Sequence, residues 1–134
     1  MHSHEVETSR RTWPNGSASY SAAVAAGGLV HTCGLVARDP ETGAVRGDTV
    51  PAQLDEVFAR LEAVLRQAGA SMAGVVDMMI FLTDHGHWRA ANERFAVAFP
   101  TDPPTRTIVA AGLAEGVLVE IRAVALLDDP ESVN

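Results

Sequence analysis

The apolar pattern of this chain predicts an α+β fold, a mixed β-sheet with two helices packed on one of its faces. Three observations carry that expectation. Pro51 to Ala68 repeats apolar residues at three- and four-residue steps, as a helix does. Four other segments are short apolar runs of strand character. Strands and helices also fail to alternate in the strict βαβ order of a doubly wound protein. With 134 residues, 47% hydrophobic and 20% charged, the chain has the size and composition of one globular domain. Residues 11–127 are expected to form it, with polar tails at 1–10 and 128–134.

The first expected strand, Leu29 to Ala37, runs into Asp39-Pro-Glu-Thr-Gly43, a turn with proline near its start and glycine at its end. The first helix places Leu54, Val57, Phe58, Leu61, Val64, Leu65 and Ala68 on one side, with Asp55, Glu56, Arg60, Glu62 and Arg66 opposite. Thr49 can cap its start, Pro51 suits its first turn, and Gly69 can adopt a left-handed conformation beyond its end. Val75 to Leu82, bounded by Gly74 and Thr83-Asp84, reads as a buried strand. A second helix starts after Asp84, carries Trp88, Asn92, Phe95 and Phe99 on one face, and stops at Pro100. Thr105 to Ala111 and Val117 to Leu127 read as two further strands. Alternation in the last puts Val117, Val119, Ile121, Ala123 and Ala125 toward the core. Leu118, Glu120, Arg122 and Val124 then face the other way, a partly apolar surface that oligomerisation would cover.

Charge and composition narrow the function. Ten Lys and Arg against 17 Asp and Glu give a formal net charge of -7, which repels nucleic-acid phosphates and anionic membranes. The single cysteine, Cys33, has no internal disulfide partner, and Met1 to Arg11 has no apolar signal-peptide core. No segment reaches the ~20 apolar residues of a membrane span, so a soluble cytoplasmic protein is expected. There is no phosphate-binding glycine loop, no Gly-x-Ser-x-Gly elbow and no dinucleotide fingerprint, and no cofactor is expected.

Arg106 is the leading candidate for a ligand contact, because Pro103-Pro104 stiffens the approach to it and a guanidinium offers a carboxylate two parallel hydrogen bonds. A surface or interface salt bridge, for instance to Glu120, is the alternative use of the same charge. Glu120, mid-strand between Val119 and Ile121, either holds a water and moves protons or forms a structural ion pair. Cys33 lacks an activating neighbour and reads as a packed thiol; Tyr20, among Ser17, Ser19 and Ser21, covers a cleft or packs in the core. The pairs His2/His4 and His85/His87 have no carboxylate or cysteine at ligand spacing and read as surface histidines, so no metal site is expected.

Taken together, Tyr20-Ser-Ala-Ala-Val, Cys33-Gly34, the Asp39 to Gly43 turn, the Gln53 to Gly69 helix, Val76 to Asp84, Asn92, Pro104-Thr-Arg106-Thr and Val119-Glu120-Ile121 resemble the RidA/YjgF-type reactive-intermediate (enamine/imine) deaminase family, in order and in register over residues 13 to 126. The resemblance implies a chorismate-mutase-like α+β fold that assembles as a homotrimer around a central barrel, with ligand clefts between subunits. It implies hydrolysis of small imine or enamine carboxylates such as 2-aminoacrylate to a keto acid and ammonia. Arg106 would then clamp the substrate carboxylate and Glu120 position the attacking water. The Thr107 carbonyl and the backbone of Cys33 and Gly34 would complete the site, Tyr20 would lie over the substrate, and Asn92 would brace the structure. The chain departs from the family where Cys33-Gly34-Leu35 replaces a common Ser-Gly-Gln and Leu113-Ala114 a common Leu-Pro, so its pocket is less polar and suits a larger or more apolar substrate. A non-catalytic small-carboxylate binder or interaction module on the same trimeric fold is the other reading.

Overall fold

A computed structural model describes residues 10–128. Among them, β1 (Arg10–Pro14), β2 (Ser21–Ala26), β3 (Leu29–Thr32), β4 (Ala70–Leu82), β5 (Thr105–Ala110) and β6 (Val119–Leu127) form one sheet in the order β1-β2-β3-β6-β4-β5. The helices are α1 (Val50–Gln67) and α2 (Trp88–Ala98), the latter preceded by a 3₁₀ turn at His85–His87. The architecture is therefore α+β with a mixed sheet, as the sequence predicted.

Topology explains why both helices lie on one face. β4 and β5 are parallel, and β6 is antiparallel to both β3 and β4, so β3 and β4 are parallel to each other. The β3-α1-β4 and β4-α2-β5 crossovers step across the sheet in the same direction. A right-handed connection in each case puts both helices on the same side. The core lies beneath them: Val30 and Thr32 of β3, Met78, Ile80 and Leu82 of β4, and Val119, Ile121, Ala123 and Ala125 of β6 are buried. The predicted core face of the last strand is thus correct. Its opposite face receives no helix and leaves Met79, Val109 and Leu126 exposed.

The first helix forms as its sequence requires. Thr49 Oγ1 accepts from Ala52 N at 3.2 Å, Pro51 occupies the first turn, and Gly69 follows with φ of 85°. Leu54, Val57, Leu61 and Leu65 are fully buried. Gln53, also fully buried, donates to the carbonyls of Gly47 and Gly116 and accepts from Leu118 N, each at 2.9 Å. It ties the approach to α1 to the start of β6 with no polar atom unmatched.

Several boundaries differ from expectation. β3 stops at Thr32 rather than Ala37, because the Thr32 hydroxyl takes the hydrogen bond from Ala123 N and itself donates to Cys33 O. The chain then swings so that Leu35 pairs with Ile121. β4 begins at Ala70, five residues earlier than expected. Gly74 does not bound it but sits in an irregular stretch between Ala70 and Val75, where a Cβ would lie 3.2 Å from Leu126 O. β1 and β2 were not anticipated; Gly27 and Gly28, both with positive φ, turn the β2-β3 hairpin. Trp88 is 49% exposed, not part of the buried face of α2, which is made by Ala91 and Phe95. Arg10, assigned to the tail, pairs with Ala26. The remaining tail residues, 1–9 and 129–134, lie outside the described residues.

Candidate functional site

Arg106 stands on β5, an edge strand, just after Pro103-Pro104. Its register partner Met78 faces the helices, and in a parallel pair the two side chains share that face. An Nη nitrogen of Arg106 donates to Asn92 Oδ1 at 2.5 Å, and the guanidinium carbon lies 5.2 Å from the centroid of the Phe95 ring. One amide and one aromatic face thus hold the cation while leaving its remaining N–H groups free for an anion. Phe95 is set in turn by edge-to-face contact with Phe58, 5.2 Å away. Together with Met78, Phe99, Pro103 and Pro104 these residues line a cavity of about 370 Å³ that is mostly apolar around one charged group.

Glu120 is elsewhere. It pairs with Phe81, so its side chain leaves the sheet on the face away from the helices, as the alternation predicted. β4 separates β6 from β5, which puts the two backbones roughly 10 Å apart. Arg106 and Glu120 therefore lie on opposite faces of the sheet, and no salt bridge forms between them within the chain. The Glu120 carboxylate instead folds against Gly34: a Cβ there would sit 3.0 Å from Glu120 Cδ and would overlap Oε2.

Gly34 belongs to a second cavity, of about 250 Å³, whose walls include Tyr20, Cys33, Arg38 and Arg60. Tyr20, 59% exposed, stands at its lip and is not a core residue. Cys33 is half-buried, and burial pushes its thiol above the ordinary cysteine range despite the opposing charge of nearby Arg60; Glu120 adds to the rise. A neutral thiol is a poor nucleophile, in line with the packed-thiol reading.

The expected residues thus fall into two groups. Tyr20, Cys33, Gly34 and Glu120 come together at one end of the sheet, whereas Arg106 and Thr107 lie on its far edge, with the exposed Thr107 side chain directed away from the helices. Asn92 braces Arg106 itself. Arg60 was assigned to the solvent face of α1 yet lines the second cavity and is partly buried. Its spacing carried the signal: Gln53, Val57, Arg60 and Val64 follow the i, i+4, i+7, i+11 steps of one helical stripe. His85 and His87 sit in the 3₁₀ turn, and among the described residues no three His, Cys, Asp or Glu side chains come together as metal ligands would. Among the described residues no helix is long and apolar enough to cross a membrane.

Known proteins share this framework. The sequence model of the family described as Endoribonuclease L-PSP matches residues 11–127. A RutC family protein of Synechocystis sp. is 35% identical over 125 residues, covering 91% of this chain and 95% of that protein. The crystal structure of RidA from an Antarctic Psychrobacter is 32% identical with a TM-score of 0.78, covering 87% of this chain and 94% of the other. That of a YjgF family member from Neisseria meningitidis is 29% identical with a TM-score of 0.81, over 92% and 98% of the two chains.

Proposed function

Because the chain belongs to the RidA/YjgF family, described also as Endoribonuclease L-PSP, we propose that it hydrolyses reactive imine and enamine carboxylates to keto acids and ammonia in a cleft completed by a second copy of itself. The observation that carries this reading is the state of Arg106: held by Asn92 and Phe95 at an apolar cavity, with no carboxylate partner among the described residues. Such a cation is suited to a ligand carboxylate.

A single chain offers Arg106 and Glu120 on opposite faces, so they serve one substrate only if they come from different copies. The helix-free face of the sheet, with Met79, Val109 and Leu126 exposed, supplies a surface for that assembly, and the trimer around a central barrel is the arrangement proposed. In the composite cleft Arg106 of one subunit holds the substrate carboxylate, with the Thr107 backbone beside it. Tyr20, the Cys33-Gly34 backbone and Glu120 come from the neighbour. An enamine first tautomerises to the imine. Glu120 then takes a proton from water as the water oxygen bonds to the C=N carbon and the π electrons pass to nitrogen, and returns that proton to the nitrogen. The carbinolamine next gives its hydroxyl proton, through Glu120, to the amino group, which leaves as ammonia as the C=O bond forms. RNA cleavage, the activity in the family's description, is disfavoured by the excess of 17 acidic over 10 basic residues.

The test is ammonia release from imines generated in place from several amino acids, with wild type, Arg106→Ala and Glu120→Gln each verified as the same oligomer. Losing the charged contact of Arg106 is expected to lower the rate by about thirtyfold to several thousandfold, ~2–5 kcal/mol. Arg106→Lys is expected to recover little, since an ammonium lacks the planar fork. Equal rates in all variants would remove the proposed site and leave a carboxylate-binding module.

A further inference from the structure

Arg60 is a partly buried cation with an unpartnered nitrogen. Its Nε is, among the described residues, the one buried side-chain nitrogen or oxygen without a hydrogen-bond partner. The remainder of the guanidinium makes one long contact, Nη1 to Arg38 O at 3.5 Å, and among the described residues no carboxylate lies within ion-pair distance. Of the nearby acids, Asp39 is bound by Arg46 at 2.6 Å, and Glu120 lies against Gly34 without pairing with Arg60. A partly buried charge with an unpaired edge is costly unless something else supplies the partner. Arg60 forms part of the wall of the 250 Å³ cavity whose lip carries Tyr20, and Arg38, occupied on one side by Gly43 O at 2.7 Å, stands in the same wall.

We propose that this cavity is an anion subsite in which Arg60 receives a carboxylate, and that the substrate accordingly carries a second acidic group. The second statement rests on the composite cleft proposed above. Arg106 of one subunit takes the carboxylate next to the C=N carbon, and Arg60 of its neighbour takes the acid at the other end. The substrates are then imines or enamines of acidic amino acids, and the products dicarboxylic keto acids. A carboxylate fits better than a phosphate, because a dianion would meet Glu120 and Asp39 close by. Leu35, from which a more apolar substrate was expected, is 2% exposed but borders this same cavity, so it adds an apolar wall beside the cation.

Calorimetric titration with 2-oxoglutarate as the diacid probe and 2-oxobutyrate as the monoacid probe tests this on wild type, Arg60→Met and Arg60→Lys, with melting temperatures measured alongside. Wild type is expected to prefer the diacid, and Arg60→Met to reduce that preference roughly tenfold to a hundredfold. Arg60→Lys keeps the charge and should retain part of it. A wild type without diacid preference, or an Arg60→Met protein that keeps the preference unchanged, overturns the subsite. So does equal weakening of both acids with a lower melting temperature, since Arg60 would then only hold the Arg38 loop. Failure here is separable from failure of the deaminase reading: ammonia release from monocarboxylic imines would continue without diacid selectivity. If no imine releases ammonia, the titrations still report on Arg60.

Discussion

Gly34→Ala separates the fold from the chemistry at Glu120. Gly34 does not need a left-handed backbone, and the three atoms nearest its added methyl all belong to the Glu120 side chain, with Cδ at 3.0 Å, Cγ at 3.3 Å and Oε2 in overlap. Those atoms are the end of a flexible, partly exposed side chain, so they move while the strands stay. Restoring ordinary contact displaces the carboxylate by about 1 Å, a misplacement that costs on the order of a hundredfold in rate when the displaced group acts on the reacting atoms. Stability should change by less than about 1 kcal/mol, because the strain relaxes into solvent rather than into the core. Ammonia release from a monocarboxylic imine, measured beside a thermal melt and light scattering, is expected to fall about a hundredfold at an unchanged melting temperature and oligomeric state. Wild-type turnover by such a correctly assembled protein would refute the reasoning, showing that the position of the Glu120 carboxylate is irrelevant to turnover. A large drop in melting temperature would refute the claim that the backbone tolerates the methyl.

Two other outcomes follow from the same geometry. Asn92→Ala releases the Arg106 guanidinium from its 2.5 Å contact without touching the cavity's apolar wall, so KM should rise roughly fivefold to thirtyfold, the equivalent of ~1–2 kcal/mol, with a smaller change in kcat; unchanged kinetics would show that Phe95 and Pro104 suffice to place it. Cys33, whose thiol is raised by burial, should react with iodoacetamide only above the pH at which a free cysteine does, and Cys33→Ser should keep most of the activity. Because its folded value exceeds its unfolded one, the stability it contributes is complete below the ordinary cysteine value and declines as pH rises toward the folded value. A thousandfold loss of activity in a folded Cys33→Ser protein would instead make the thiol a nucleophile.

The elements that were legible in the sequence are those whose signal is local. Thr49, Pro51 and Gly69 bracket α1 because capping and backbone conformation act within a turn, and alternation in β6 sorted Ile121 from Glu120 because neighbouring side chains on a strand must point apart. Arg106 and Glu120 were singled out through the family's motif; Asn92 was expected only to brace the structure, and its bond to Arg106 appears in the fold alone. β1 and β2 were missed despite the Gly27-Gly28 hairpin signal, since a five-residue strand with two arginines and a proline and a six-residue strand of mostly alanine carry little apolar periodicity of their own. The early end of β3 depended on a hydroxyl of Thr32 reaching Ala123, 91 residues away, and no local window contains that bond.

What the sequence determined by itself was the α+β class, the faces of its best helix and last strand, and the family's candidate residues. Only the tertiary structure decided how those residues are distributed: β4 inserts between β5 and β6, which places Arg106 under α2 and Glu120 on the face without helices. It also turned Arg60 from an expected solvent residue into a cavity wall, because the loop after β3 folds back over that side of α1. Strand order and loop return are set by the summed packing of segments far apart in the chain, and the periodicity of any one segment is blind to which neighbour it will receive.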